Sequence, residues 1–307
     1  MLSHPVVQPW LPQRAINRLA GWLANTTIPW LKNYLIRYFL KRHAVNLDEA
    51  CLTDPMQYPS FNAFFTRALK SECRPLSPDP QDLSSPVDGC ISQMGSIQDA
   101  RLIQAKGHSF TVDDLLGATH NPELQNKTRV FNNGSFITLY LAPHDYHRVH
   151  MPITGTLSQM IYIPGRLFSV DARTAQRIPN LFAANERVAC LFDTAQGPMA
   201  LILVGAMIVG SIETVWAGAV SGPQTACNST QPKNAKKPEI QHWTYPTPIT
   251  LERGAEMGRF QLGSTVIVLL PQDAPLCWDP QHAAGHSIRM GERLGSLTKQ
   301  NLFFNHS

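Results

Sequence analysis

The apolar positions of this chain change their period as the chain proceeds. Near the start they recur at helical spacing: Ile16, Leu19, Ala20 and Leu23 share one face of a predicted helix. A second helix is predicted from about Thr27 and Pro29, because a cap residue and an early proline are both tolerated in a first turn. Its apolar set is Trp30, Leu31, Tyr34, Leu35, Tyr38 and Phe39. Residues 61–67 predict a short helix with an aromatic side. Pro75, Pro78 and Pro80 then read as a linker. From Ser84 onward the pattern is of short strands punctuated by glycine and proline. Strands are predicted around 136–141, 161–163, 188–192, 199–204, 206–212, 215–220 and 266–270. Val87-Asp88-Gly89 reads first as a tight hairpin turn, and residues 112–116 as a short helix. The tail from Ala274 is weakly patterned, with one strand expected within 287–297. The expected class is α+β: a helical N-terminal region, then a β-rich body of barrel or sandwich type.

Composition narrows this. The chain has 307 residues, 43% of them hydrophobic, which is enough to bury a sizeable core. Its 24 prolines argue against a mainly helical body. A net charge of +4 is mild and gives no reason to expect nucleic acid. The cysteines are scattered without a C-x-x-C pair and read as reduced thiols. Pro5, Pro9 and Pro12 interrupt any signal-peptide core. The longest apolar run, 198–212, is shorter than a membrane span and broken by Gly205 and Gly210. Two adjoining buried strands explain it. Residues 221–239 are polar and read as an exposed loop.

Charge is unevenly placed. Residues 1–47 contain no Asp or Glu but do contain Arg14, Arg18, Lys32, Arg37, Lys41 and Arg42. One reading is a helix pair packed on the body with a solvated basic rim. The other is an interfacial anchor, with apolar residues at the acyl boundary and cations on anionic headgroups. The lack of acids favours the anchor. The division expected is 1–50 for membrane-surface helices and 51–307 for a catalytic domain.

Two stretches carry candidate chemistry. In the first, Gly263-Ser264 precedes the wholly apolar run 266–270. It reads either as a loop entering a strand or as a self-cleaving peptide bond. In the second case Ser264 attacks the carbonyl of Gly263, the acyl group moves from nitrogen to oxygen, and elimination and hydrolysis leave a pyruvoyl group. The second stretch holds His144, His147 and His150 beside Asp145, enough ligands for zinc. On a helix the three would share a face; on the extended chain expected after Leu141 they would diverge.

Several ordered segments then bear on both stretches. Leu262-Gly263-Ser264-Thr265, Pro86-Val87-Asp88-Gly89, 145–152, Tyr162-Ile163-Pro164-Gly165, 182–188 and 210–218 together resemble the prokaryotic-type phosphatidylserine decarboxylase proenzymes, in the family's order. The resemblance spans about residues 19–270. It implies cleavage between Gly263 and Ser264 into chains 1–263 and 264–307, with Ser264 becoming the pyruvoyl cofactor. It implies His150 as the base for that cut and Asp88 as its carboxylate. It implies a Schiff base between that carbonyl and the amine of phosphatidylserine, loss of CO2, and His147 as the acid that protonates the carbon. It further implies phosphatidylethanolamine as product and a homodimer; together with the acid-free basic helices, the expectation is an anionic membrane surface as partner and a peripheral place on the cytoplasmic face of the bacterial membrane. The alternatives are a metal-dependent hydrolase built on His144, His147 and His150, or a non-enzymatic membrane-binding protein.

Overall fold

A computed structural model describes residues 13–105, 107–206, 211–220, 239–261 and 264–297. The polar stretch 221–238 lies outside the described residues, as do Leu262 and Gly263. Helix α1 (Gln13–Ala24) and helix α2 (Pro29–Arg42) come first, followed by the short helix α3 (Phe61–Phe65). Pro29 opens α2 where its missing N–H costs nothing. Ser60 caps α3 by accepting from the Ala63 N–H. The three helices meet over a cluster of Ala24, Ile36, Tyr58, Phe61, Phe64 and Phe65.

The body is β-rich, as expected, and its main feature is a nine-stranded sheet. Its order is Gln241–Trp243, Gly155–Ile163, Arg187–Thr194, Gly197–Val204, Ser264–Leu270, Ser135–Leu141, Gly89–Ser96 and Ser287–Ile288, with Thr250–Leu251 also on Gly155–Ile163. All of these pairs are antiparallel. The strand Ser264–Leu270 lies inside it, paired with Ser135–Leu141 on one edge and Gly197–Val204 on the other. Its alternate residues feed two cores on opposite faces: Val266, Val268 and Leu270 one, Ile267 and Leu269 the other. That double burial is why the run is apolar throughout rather than alternating.

A four-stranded sheet orders Gly218–Ala219, Ile212–Thr214, Glu256–Phe260 and Arg148–His150. A three-stranded one orders Asp82–Ser84, Arg293–Ser296 and Cys277–Trp278, so the weakly patterned tail contributes three short strands in all.

Two local expectations change. Val87-Asp88-Gly89 makes no hairpin: Gly89 opens a strand whose partner is Ser135–Leu141. A Cβ on Gly89 would sit 2.3 Å from the Tyr140 carbonyl oxygen, so the glycine serves a close approach of two strands. The predicted strand 215–220 is mostly a turn, with Val215, Trp216 and Ala217 linking Ile212–Thr214 to Gly218–Ala219. Of the predicted strand 206–212, residues 207–210 lie outside the described residues and only Ile212 is in a strand.

Candidate active site

Ser264 begins the central strand opposite Leu141. It is fully buried, and its Oγ has no hydrogen-bond partner among the described residues. A buried hydroxyl left unpaired costs about 1–3 kcal/mol, so such a group calls for an explanation. Leu141 leads through Ala142, His144 and Asp145 to His147, and the His147 carbonyl accepts from the Phe260 N–H at 3.0 Å. The segments 141–147 and 260–264 are thus tied to each other at both ends, at Leu141 with Ser264 and at His147 with Phe260. Four residues of extended chain reach no more than ~14 Å, so Ser264 cannot lie farther than that from Phe260.

His147 and His150 are both buried. His150 Nδ1 lies 2.8 Å from the Gly254 carbonyl oxygen, and its Nε2 lies 2.9 Å from the Tyr146 hydroxyl. A carbonyl only accepts, so Nδ1 carries the proton and Nε2 offers its lone pair to the Tyr146 O–H. Burial keeps that phenol protonated. His147 Nδ1 likewise donates to the Asp145 carbonyl at 2.9 Å, while its Nε2 is buried without a partner among the described residues. Its ring packs on Phe65 at 4.1 Å between centroids. Burial pushes His147 down to about 3 and lowers His150 as well, so both are neutral at pH 7.

Asp88 is present but differently engaged from the sequence expectation. Arg74 grips it with two hydrogen bonds, Nε to Oδ1 at 2.8 Å and Nη2 to Oδ2 at 2.5 Å, and the Met290 N–H donates to Oδ1 at 2.9 Å. Among the described residues no hydrogen bond joins Asp88 to His150. The reason is competition: a guanidinium fork offers a carboxylate two charge-assisted bonds, and a neutral imidazole offers one. Asp88 still acts on His150 through space, favouring its protonated form, though less than Gly254 and Glu256 do. Arg74 also holds Glu49 at 2.8 Å. Asp88, Arg74, Glu49, Arg67, Tyr140 and Tyr146 line part of a cavity of about 400 Å³.

The metal reading fails on geometry. Among the described residues no three His, Cys, Asp or Glu side chains converge as ligands. His144 is half exposed and its Nε2 faces Asp145 at 3.5 Å, whereas His147 and His150 turn their Nδ1 atoms to different carbonyls.

Arg74 and Tyr146 escaped the sequence reading. A buried Asp in an apolar stretch demands a cation, but nothing in Cys73-Arg74-Pro75 says which one. Tyr146 is visible only as a neighbour of His147, and its role follows from reaching His150 four residues on.

On α2, Trp30, Tyr34, Arg37, Tyr38, Lys41 and Arg42 are exposed along one side, Trp30 by 72% and Tyr34 by 62%. On α1, Leu19 and Trp22 are exposed as well. The Arg42 guanidinium sits 4.9 Å over the Tyr38 ring. Lys32 differs from the other cations of α2: it is buried and donates to the Asn33 side chain and the Met56 carbonyl, each at 2.8 Å. Among the described residues no helix is long and apolar enough to cross a membrane.

Comparison with known proteins agrees along the chain. A family model described as phosphatidylserine decarboxylase matches residues 61–296, and one described as PSD matches residues 6–44. A phosphatidylserine decarboxylase proenzyme of Marinobacter nauticus is 50% identical over 289 residues, 93% of this chain and 94% of that protein. One of Pseudomonas fluorescens is 51% identical over 285 residues, with 93% and 94% covered. One of Bordetella avium is 51% identical over 283 residues, with 92% and 90% covered.

Proposed function

The chain belongs to the phosphatidylserine decarboxylase family, and from that premise we propose how its own residues serve the two reactions such a proenzyme requires. The overall reaction is decarboxylation of phosphatidylserine to phosphatidylethanolamine, with a covalent pyruvoyl group made by self-cleavage. The cut falls between Gly263 and Ser264. Ser264 suits that role because its buried Oγ has no competing hydrogen bond among the described residues. His150, neutral at pH 7, takes the hydroxyl proton once its Nε2 exchanges Tyr146 for Ser264. Asp88 acts by stabilising the imidazolium through space. Oγ adds to the Gly263 carbonyl carbon, the C–N bond breaks and an ester forms. Elimination then frees the Gly263 carboxylate, and hydrolysis releases the Ser264 nitrogen as ammonia.

The carbonyl so produced supplies an electrophile for the substrate amine and a sink for the electron pair left by CO2. His147 manages the proton at the substrate carbon. It carries none on Nε2 in the uncleaved chain, so it must first accept one. The substrate ammonium must lose a proton before it can react, and is the natural source. One observation favours a second assignment, with His147 serving the cut: its Nε2 and Ser264 Oγ are both buried and, among the described residues, unpartnered. If His147→Ala stays whole while His150→Ala is cleaved, the two roles are exchanged.

Fragments 1–263 and 264–307 stay together because Ser264–Leu270 is paired on both edges. Helices α1 and α2 dock on an anionic bilayer, placing the protein peripherally on the cytoplasmic face of the bacterial membrane. The support is the exposed aromatic and cationic side of α2. A homodimer rests on the resemblance alone. The test of the cut is Ser264→Ala, which should leave one full-length chain on a denaturing gel; efficient cleavage of that variant would overturn the reading.

A further inference from the structure

Three residues before Ser264, the side chain of Gln261 is buried and held from two sides. Its Nε2 donates to Glu213 Oε1, and its Oε1 accepts from Asn62 Nδ2 at 3.2 Å. Its backbone N–H donates to the Ser211 carbonyl at 3.0 Å. Asn62 in turn donates to Asn25 Oδ1 at 2.7 Å, just past the end of α1. The segment entering the scissile bond is therefore fastened to the α1–α3 layer and to the strand Ile212–Thr214.

Packing alone accounts poorly for this relay. Among the described residues Asn62 Oδ1 is buried with no partner, at a cost of about 1–3 kcal/mol. An apolar side chain of similar shape would avoid that cost and still fill the space beside α3. What the amides supply is direction at Gln261. Attack by Ser264 on the carbonyl just before it needs a near-attack geometry, and a displacement of about 1 Å can slow such a step about a hundredfold.

We propose that Gln261 and Asn62 are positioning residues for self-cleavage, holding the chain ahead of Gly263-Ser264 so that the hydroxyl meets its own upstream carbonyl. This rests on the assignment of the cut to Gly263-Ser264. Once the bond is broken, Gln261 lies near the free end of fragment 1–263 and no longer constrains Ser264 through the chain. The relay thus serves the cut and not the later turnover.

The test follows cleavage over time in freshly synthesised full-length chains on denaturing gels, with a thermal melt of each variant. Gln261→Leu and Gln261→Glu are expected to cleave roughly ten- to a hundredfold more slowly than wild type while still melting cooperatively. In Gln261→Glu two carboxylates face each other across the Glu213 contact. Adding Glu213→Gln exchanges donor and acceptor, restores the hydrogen bond, and should return the rate to within about threefold of wild type. Decarboxylation per cleaved chain should match wild type in all three. Wild-type cleavage rates in both single variants, or no recovery in the exchanged pair, would overturn the proposal. Should Gln261→Leu fail to fold, the exchange pair decides alone. Ser264→Ala run alongside separates the two ideas: its cleavage would sink the assignment of the cut, whereas normal cleavage of the Gln261 variants with Ser264→Ala intact sinks only the relay.

Discussion

Helix α2 and the strand Ser264–Leu270 are both rich in apolar residues, and they use them in opposite ways. Every residue of the strand is buried, with a core on each face. Its one candidate reactive group, Ser264 Oγ, is buried at its head with no hydrogen-bond partner among the described residues. In α2, Ile36 packs inward while Trp30, Tyr34 and Tyr38 face outward beside Arg37, Lys41 and Arg42. Apolar burial in the strand surrounds the proposed nucleophile with side chains rather than solvent. Apolar exposure on the helix leaves a surface open for the bilayer contact proposed above. The contrast shows why hydrophobic residues alone say little about role: the partner on the far side decides.

The largest effects should come from the buried side. His150→Ala and Asp88→Asn are expected to block self-cleavage and leave a single chain, read on a denaturing gel. His147→Ala should still be cleaved, at least in part, yet lose roughly a hundred- to ten-thousandfold in turnover of phosphatidylserine. Leu269→Ala, in the doubly covered strand, should lower stability by about 2–5 kcal/mol in chemical denaturation. Trp30→Ala, on the exposed side of α2, should change stability by less than about 0.5 kcal/mol and instead weaken co-sedimentation with anionic vesicles. A destabilisation of Trp30→Ala equal to that of Leu269→Ala would break the comparison.

Two smaller effects sharpen it. His147 is held neutral by burial, with its folded value near 3, below the usual 6.5. The unfolded chain binds the proton first, so stability is whole above about pH 6.5 and falls as pH drops from there toward 3. Melting temperatures of His147→Gln should therefore decline less steeply between pH 7 and pH 5 than those of wild type; identical slopes would assign the acid limb elsewhere. Charge reversal at Arg37, Lys41 and Arg42 should weaken vesicle binding, as should added salt on wild type, since each cation near an anionic surface contributes about 1 kcal/mol. Unchanged binding of the triple variant at low salt would count against this face.

What the sequence made legible was whatever local pattern dictates. The run 266–270 reads as a doubly buried strand because no position tolerates a polar residue. Pro29 marks the start of α2 because proline fits only a first turn. Segment 215–220 misled because a β-branched, apolar-rich run looks like a strand, whereas Val215, Trp216 and Ala217 turn the chain back. At the site, the sequence named Asp88, His147, His150 and Ser264, the first three with roles taken from resemblance, and the structure buries all four. Their partners went unnamed, because Arg74 on Asp88, Tyr146 on His150 and Asn62 on Gln261 are tertiary contacts without a local signature. The assumed Asp88–His150 bond shows the limit: order along a chain names candidates, and competition in space decides which of them pair.

The central claim is that Ser264 turns its own peptide bond into an electrophile. Intact mass of the purified protein under denaturing conditions tests it most directly. The account predicts two chains, 1–263 and 264–307, the smaller lighter by one ammonia than simple hydrolysis would leave it and gaining two hydrogens on borohydride treatment. A single full-length mass, or a smaller chain that keeps a free N-terminal serine, would contradict it.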